Sequence, residues 1–401
     1  MSRFRRFLVI GLRIVLAGGC LWGIWSSWEV ARADYLFRKD NADAIRAAIR
    51  LAPDDSVYYM RLAQFDEDHA RALLETSLRL NHYNAQADIE LGLRYEADGD
   101  PSQAEKLLLQ AAFIDHTYLP RWSLANFYLR RDNLHAFWMW ARKAAEMPAN
   151  DIGALFDLCW RVSPDPDEIT SRILNDNPDV VRQYLSFLVG RGQLPAAAGA
   201  AIRLLRDGSA EADRPPLLSL VNKLVAANDA GPAISLWHQL IQHQWVVADQ
   251  TVPNNAAFAR DPQPVSFDWT LPSYPGLHSW PGPRGLETEF TGKEPESCTI
   301  AEQTIALSPG NYTLTYSYHA TGIPPETGIR WQIVDAKSGA VLAQSPDLSS
   351  NSPQQMAVDF SVGPEASLLR LRLLYQRALG TTHISGTLEV ASTSIQTRRQ
   401  K

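Results

Sequence analysis

At 401 residues the chain is too long for one ordinary domain, so two or three are expected. A formal net charge of −6, with no basic run beyond Arg3–Arg6 and the last four residues, leaves little for a nucleic-acid backbone to grip. Cys20, Cys159 and Cys298 are far apart and form neither a CxxC pair nor a metal-ligand spacing, so they read as buried free thiols rather than a disulfide framework.

The first element sets the address. Arg3, Arg5 and Arg6 precede Phe7–Trp28, a mostly apolar stretch about long enough to span a bilayer. Arg13 interrupts it near its start and can snorkel back to the positive side. Trp22, Trp25 and Trp28 gather at the far end, where aromatic rings favour the membrane interface. The positive-inside rule then keeps the N-terminus in the cytoplasm and places everything after Trp28 outside it. Residues 1–34 resemble a bacterial signal anchor, which implies a single-pass inner-membrane protein with its bulk in the periplasm. Two other readings stay open. Ala31-Arg-Ala33 has the small-x-small form of a signal-peptidase site, and Leu16-Ala-Gly-Gly-Cys20 loosely resembles a lipoprotein box. All three export the rest of the chain.

Residues 35–150 repeat themselves. A small residue recurs at Ala70, Ala104 and Ala136, spaced by 34 and 32 residues, and a large apolar residue follows four later at Leu74, Leu108 and Trp140. One helix pair cannot bury its apolar face alone; the alanine lets the next helix approach and the bulky residue fills the remaining gap. In the central unit Leu91-Gly92, Tyr95, Ala104, Leu108 and Ala111 surround the turn Asp98-Gly99-Asp100, and in the next Leu124-Ala125, Tyr128, Ala136, Trp140 and Pro148 take the same places. On these residues the stretch resembles the tetratricopeptide repeat (TPR) family, which implies a scaffold that binds other proteins rather than a chemistry. Residues 151–250 stay helical without the clear consensus. Ile152–Val162 and Pro166–Leu174 read as helices. Asp179–Arg191 with Ala196–Arg206, and Leu217–Ala227 with Pro232–His243, read as hairpins of a degenerate continuation whose groove takes a partner.

After Val247 the pattern changes. The stretch 248–264 has the Pro and polar content of a linker, so the two halves are expected to separate there and a domain starting at Val265 to fold alone. Period-two runs follow: Leu286–Phe290, Gln303–Leu307, Tyr312–Tyr316, Ile329–Ile333, Met356–Phe360, Leu369–Leu373 and Ile384–Val390. Short alternating strands between Gly and Pro turns mean a β-sandwich or barrel, so 251–401 is one β-sandwich domain with an N-terminal linker. The order of an early aromatic strand, Phe267-Asp-Trp269, the hairpin Gln303–Leu314 with its Pro-Gly turn, and late strands at Phe360-x-Val362 and Gly386–Val390 resembles the jelly-roll carbohydrate-binding modules of the galactose-binding-like superfamily. That resemblance implies the fold and leaves sugar binding open. The fold class expected for the whole is therefore a multidomain α and β protein: a transmembrane helix, a TPR-like α-solenoid and a C-terminal β-sandwich of jelly-roll type.

Sugar binding needs exposed aromatic faces with polar groups around them. The candidates are Trp280, Trp269, Arg284 and Tyr274, with Trp280 in the Pro/Gly loop Ser279–Pro283 as the most exposed. Trp331 alternates with Arg330 and Gln332 and is expected in the core. No catalytic motif and no metal or cofactor motif emerges, and the acidic pairs read as solvated surface. The function expected is a membrane-anchored extracytoplasmic scaffold in bacterial surface polysaccharide assembly or export. Its partners would be envelope proteins in the helical groove and a polysaccharide on the β domain. The alternatives are a purely protein-interaction scaffold of an envelope complex and, less favoured, a carbohydrate-active enzyme.

Overall fold

The structure is a computed structural model that describes residues 2–147, 151–364 and 368–398, the side chains of 2–15 excepted. It divides into two compact units, Met1–Asn175 and Asp176–Lys401.

The first unit is helical: α1 (Ser2–Phe37), α2 (Ala42–Leu51), α3 (Ser56–Leu62), α4 (Ala70–Leu80), α5 (Ala85–Ala97), α6 (Pro101–Ile114), α7 (Tyr118–Arg130), α8 (Leu134–Glu146), α9 (Gly153–Val162) and α10 (Pro166–Ile173). Helix starts carry side-chain caps. Asn84, Asp100 and Asn133 accept bonds from the backbone N–H groups of Ala87, Gln103 and Ala136 at 3.1–3.2 Å. The expected repeat register holds at α4 and α6, where Ala70, Leu74, Ala104 and Leu108 are fully buried. A Cβ on Gly92 would come within 3.3 Å of the Ala104 carbonyl, so α5 and α6 touch nearly backbone to backbone. The third unit departs from the expectation. Phe137 and Ala141 fill the interior on α8, and Trp140 stays half-buried at the surface with the Lys143 ammonium 4.2 Å from its ring centroid. Pro148 lies outside the described residues.

Among the described residues no helix is long and apolar enough to cross a membrane; the span expected over Phe7–Trp28 lies on α1 and only partly within them. The side chains of Phe7–Val15, the first part of that span, lie outside the description.

The second unit opens with α11 (Pro178–Gly190), α12 (Leu194–Asp207), α13 (Arg214–Ala226) and α14 (Ala230–Gln242). Their consensus side chains are gone, but their turns are those of the first unit. After α5, α7, α11 and α13 one residue takes a positive φ: Gly99 (84°), Asp132 (56°), Gly192 (72°) and Asn228 (58°). The next N–H then reaches back five residues, from Asp100 to Tyr95 (2.8 Å) and, at 2.9 Å each, from Asn133 to Tyr128, Gln193 to Leu188 and Asp229 to Leu224. This helix end satisfies a carbonyl that would otherwise be left open and aims the chain into the next helix. The repeat therefore persists in the backbone where it has faded from the side chains.

The β domain pairs two antiparallel sheets. The strands are β1 (Leu277–Gly282), β2 (Gly285–Thr291), β3 (Ser297–Ile305), β4 (Gly310–Thr321), β5 (Ile329–Asp335), β6 (Val341–Gln344), β7 (Gln354–Val362), β8 (Leu369–Gln376) and β9 (Ser385–Thr397). One sheet runs β1-β2-β9-β4-β7 and the other β3-β8-β5-β6. Trp331, Tyr316, Tyr375 and Phe290 fill the space between them, each at most 1% exposed. Two strands fall outside the sequence expectation. Leu277-His-Ser-Trp-Pro-Gly282 reads as a loop because of its Pro and Gly, but β1 lies at a sheet edge, where a missing N–H is tolerated. The four-residue β6 is also an edge strand. Conversely, Phe267–Trp269 forms no strand: beyond Trp269 the chain makes two isolated bridges, Thr270 to Glu302 and Tyr274 to Leu277.

The stretch 248–264 is packed in part, with Asp249–Thr251, Ala257, Ala259, Asp261 and Pro264 exposed. Asn254, Asn255 and Phe258 are buried, and Phe258 stacks on Trp269 with ring centroids 4.7 Å apart. The buried Gln303 amide donates to the Asn254 carbonyl (2.9 Å) and accepts from the Asn254 N–H (2.7 Å). The N–H groups of Ile395 and Thr393 donate to the carbonyls of Val252 and Ala256 at 2.7 and 2.9 Å. Val265–Ser266 is tied in turn to α13, where Asn222 accepts from the Ser266 N–H (2.7 Å), and Phe267 lies against Trp237 of α14 (5.5 Å). The Asn254 and Asn255 side chains serve internal hydrogen bonds, to the Asp249 N–H and the Arg260 carbonyl.

Candidate functional site

A cavity on the helices of the second unit and the outer face of the five-stranded sheet both offer a place for a ligand.

Between α11 and α13 lies a cavity of about 820 Å³. Its walls are apolar, with Leu185, Val189, Leu217 and Leu220, and its polar end is Arg182. The Arg182 guanidinium donates to Asp213 twice (2.6 and 3.0 Å) and to Asp179 (2.5 Å). The Arg182 hydrogen bonds hold the Asp213 carboxyl below its usual range. Lys223 adds a further cation to the lining. An apolar trough with fixed charges at its rim suits the side chains of an extended or helical peptide.

The second surface is built by sheet register. Outward positions on four neighbouring strands fall in one row: Trp280 opposite Glu287, Glu287 opposite Glu389, and Glu389 opposite His319. Directly paired side chains on one face sit about 4.5–5.5 Å apart at Cβ, so Glu287 and Glu389 would repel. Arg284, in the two-residue turn between β1 and β2, resolves the repulsion. Its guanidinium lies 2.7 Å from Glu389 and 3.7 Å from Glu287. The turn depends on Gly285, whose φ is +108° and whose Cβ would fall 2.1 Å from the Val390 carbonyl. His319 donates from Nε2 to the Asn351 carbonyl (3.0 Å) and turns Nδ1 toward Glu389 at 3.9 Å. Trp280 is 41% exposed beside these groups. The row thus offers an aromatic face, carboxylate acceptors and a guanidinium donor. Both carboxylates share one arginine.

Of the four residues expected at a sugar site, the structure brings Trp280 and Arg284 together. Trp269 is 1% exposed, its ring between Phe258 and Trp331 and its Nε1 donating to the Asn255 carbonyl at 3.0 Å, so it offers no face to a ligand. Tyr274 is half-buried against the β core. Glu287, Glu389 and His319 escaped the sequence reading. Their alternation marks them as outward-facing, but nothing local says that β9 inserts between β2 and β4. Among the described residues no cluster of His, Cys, Asp or Glu is arranged to hold a metal ion. The cysteines are free, and burial pushes the Cys298 thiol up to about 11.

No protein-family model matches the chain, and no curated protein matches it. Solved structures similar to it fall into two groups. Over the helical part it is similar to YrrB, a TPR protein with an unusual peptide-binding site, at 13% identity over 51% of this chain and 93% of that one, with a TM-score of 0.25. It is also similar to PilW, a type IV pilus biogenesis factor, at 12% identity over 55% and 94%, with a TM-score of 0.27. Over the β part it is similar to TmCBM61, solved with β-1,4-galactotriose, at 10% identity over 37% and 100%, with a TM-score of 0.27. At scores of this size the architecture rests on the helix pairs and the two sheets themselves.

Proposed function

We propose that this chain is a non-enzymatic scaffold of a bacterial envelope that holds a protein partner in its helical groove and a saccharide over Trp280, in the assembly or export of a surface polysaccharide. The observation that carries the reading is the row Trp280–Glu287–Glu389–His319 with Arg284 set across its carboxylates. A pyranose has an apolar face for the indole and hydroxyls for the charged groups around it. On this reading the full chain binds a neutral oligosaccharide from a glycan array, and Trp280→Ala loses that binding at least tenfold. The half-exposed indole contributes little to the fold, so the melting temperature stays within a few degrees. A wild-type chain that binds no glycan, or a Trp280→Ala chain that binds as well as wild type, refutes it and leaves the purely protein-interaction scaffold.

The address belongs to the same proposal. On α1, Leu21, Trp22, Ile24 and Trp25 are each 60–74% exposed, an apolar surface that water does not favour and that acyl chains and headgroups would cover. We place α1 in the inner membrane with the rest of the chain outside the cytoplasm, read from Arg3, Arg5 and Arg6. A phosphatase reporter fused after Lys401, active only when exported, should be active; cytoplasmic activity of a reporter fused there refutes the orientation.

A further inference from the structure

The outer face of the four-stranded sheet carries a charge that the fold does not use. The geometry points to a second binding face there, built on Arg330, Arg370 and Arg372, for a linear polysaccharide that bears carboxylates.

Register sets the cluster. Arg372 on β8 stands opposite Gln332 on β5, Arg330 opposite Leu374 and Arg370 opposite Val334, so Arg330 and Arg372 are diagonal neighbours across the two strands and Arg370 follows Arg372 on the same face of β8. The inward residues of the same strands, Trp331, Ile333, Leu371 and Leu373, are at most 1% exposed, which fixes the arginines on the outside. Like charges this near destabilise a sheet unless they are paired. Among the described residues none of the three forms an ion pair. Glu302 stands opposite Arg372 in register without reaching ion-pair distance, and Asp347 is engaged by the Gly328 N–H at 2.7 Å. The Nε atoms of Arg330 and Arg372 are buried with no acceptor. An anion seated on the guanidinium groups relieves the repulsion.

The surroundings select the class of anion. Arg372 donates to the Gln332 side-chain oxygen (3.1 Å), and the Gln332 amide donates to Gln344 (2.7 Å), so a polar row crosses β8, β5 and β6. Carboxylates answer the arginines and hydroxyls answer the amides, the two groups an acidic sugar carries together. The outward positions of these strands hold no aromatic ring, so bases find no stacking platform. A peptide would draw on a free strand edge or side-chain pockets, and a sheet face supplies no backbone ladder. The Trp280 face is a poor alternative for the same ligand, because Glu287, Glu289 and Glu389 point outward there.

The test uses the full chain in detergent micelles, with polygalacturonate, its methyl-esterified form and polyglutamate as probes in calorimetry. Polygalacturonate should bind, with affinity falling as salt rises. The ester should bind at least tenfold more weakly. The triple variant R330Q/R370Q/R372Q should lose at least tenfold, Arg370→Gln alone several-fold, and Trp280→Ala nothing. Arg370 is exposed and makes no side-chain hydrogen bond among the described residues, so its single variant decides the matter if the triple variant misfolds. Equal binding of the ester, polyglutamate binding as tight as polygalacturonate, or an Arg370→Gln chain that binds like wild type would each overturn the proposal. Polyglutamate binding would point to an acidic protein partner instead. Because Trp280→Ala reports on the other face, the two sugar readings fail separately.

Discussion

A chain that begins at Val265 should not melt cooperatively, whereas one that begins at Asp176 should. The first lacks Phe258, which stacks on Trp269 and is itself 1% exposed. Deleting a buried phenylalanine ring costs about 3–5 kcal/mol. The loss does not stop there. The buried Gln303 amide loses both bonds to Asn254, the Trp269 Nε1 loses the Asn255 carbonyl, and the N–H groups of Ile395 and Thr393 lose the carbonyls of Val252 and Ala256. Each buried polar group left without a partner costs about 1–3 kcal/mol. Together these are comparable to the roughly 5–15 kcal/mol that holds an ordinary domain. Starting at Asp176 keeps all of them and also keeps Trp237 against Phe267. Differential scanning calorimetry of the two chains decides the matter, and a single sharp endotherm from residues 265–401 would restore the autonomous module that the Pro-rich stretch suggested.

The second expectation concerns Asp88. It lies in the first turn of α5, where the helix dipole favours a negative charge, yet it is fully buried and neither carboxylate oxygen has a hydrogen-bond partner. Burial raises its carboxyl from the ordinary 3.8 to about 7. The sign follows from proton linkage. Below pH 3.8 both the folded and unfolded chains hold the proton. Between 3.8 and about 7 the unfolded chain releases it while the folded chain keeps it, so stability falls as pH rises. Above about 7 the penalty is complete, at about 4 kcal/mol. Asp88→Asn removes the ionisation and keeps the shape. The variant should exceed wild type by about 2–4 kcal/mol at pH 8, with the gain shrinking toward zero at pH 4. Denaturant melts at the two pH values measure it; an equal difference at both would show that Asp88 is solvated or paired in solution.

Much of the architecture follows from local pattern. Ala70, Ala104 and Ala136 mark a repeat because small residues at a fixed helical interval are where helices must touch, and α4 and α6 meet that demand. The alternation of β2, β4, β5, β7, β8 and β9 is equally local, and so is the inward direction of Trp331, which follows from Arg330 and Gln332 on either side of it. Phe137 and Trp140 show the limit. Both are large aromatics on α8, and only the packed interior decides which one enters it.

What the chain alone determined, then, is which segments are helix and strand and which side of a strand faces out, because both are set by neighbours a few residues away. The tertiary structure decided which outward residues meet. Trp280, Glu287, Glu389 and His319 form a row only because β9 lies between β2 and β4. Likewise Arg330 and Arg372 become neighbours only through the pairing of β5 with β8. It also decided which residues of 248–264 pack on the β domain, since Phe258 finds its partner in Trp269 and Asn254 its partner in Gln303. Neither that pairing nor the isolation of Asp88 leaves a periodic trace, because each depends on atoms that strand order and helix packing, not sequence spacing, bring together or keep away.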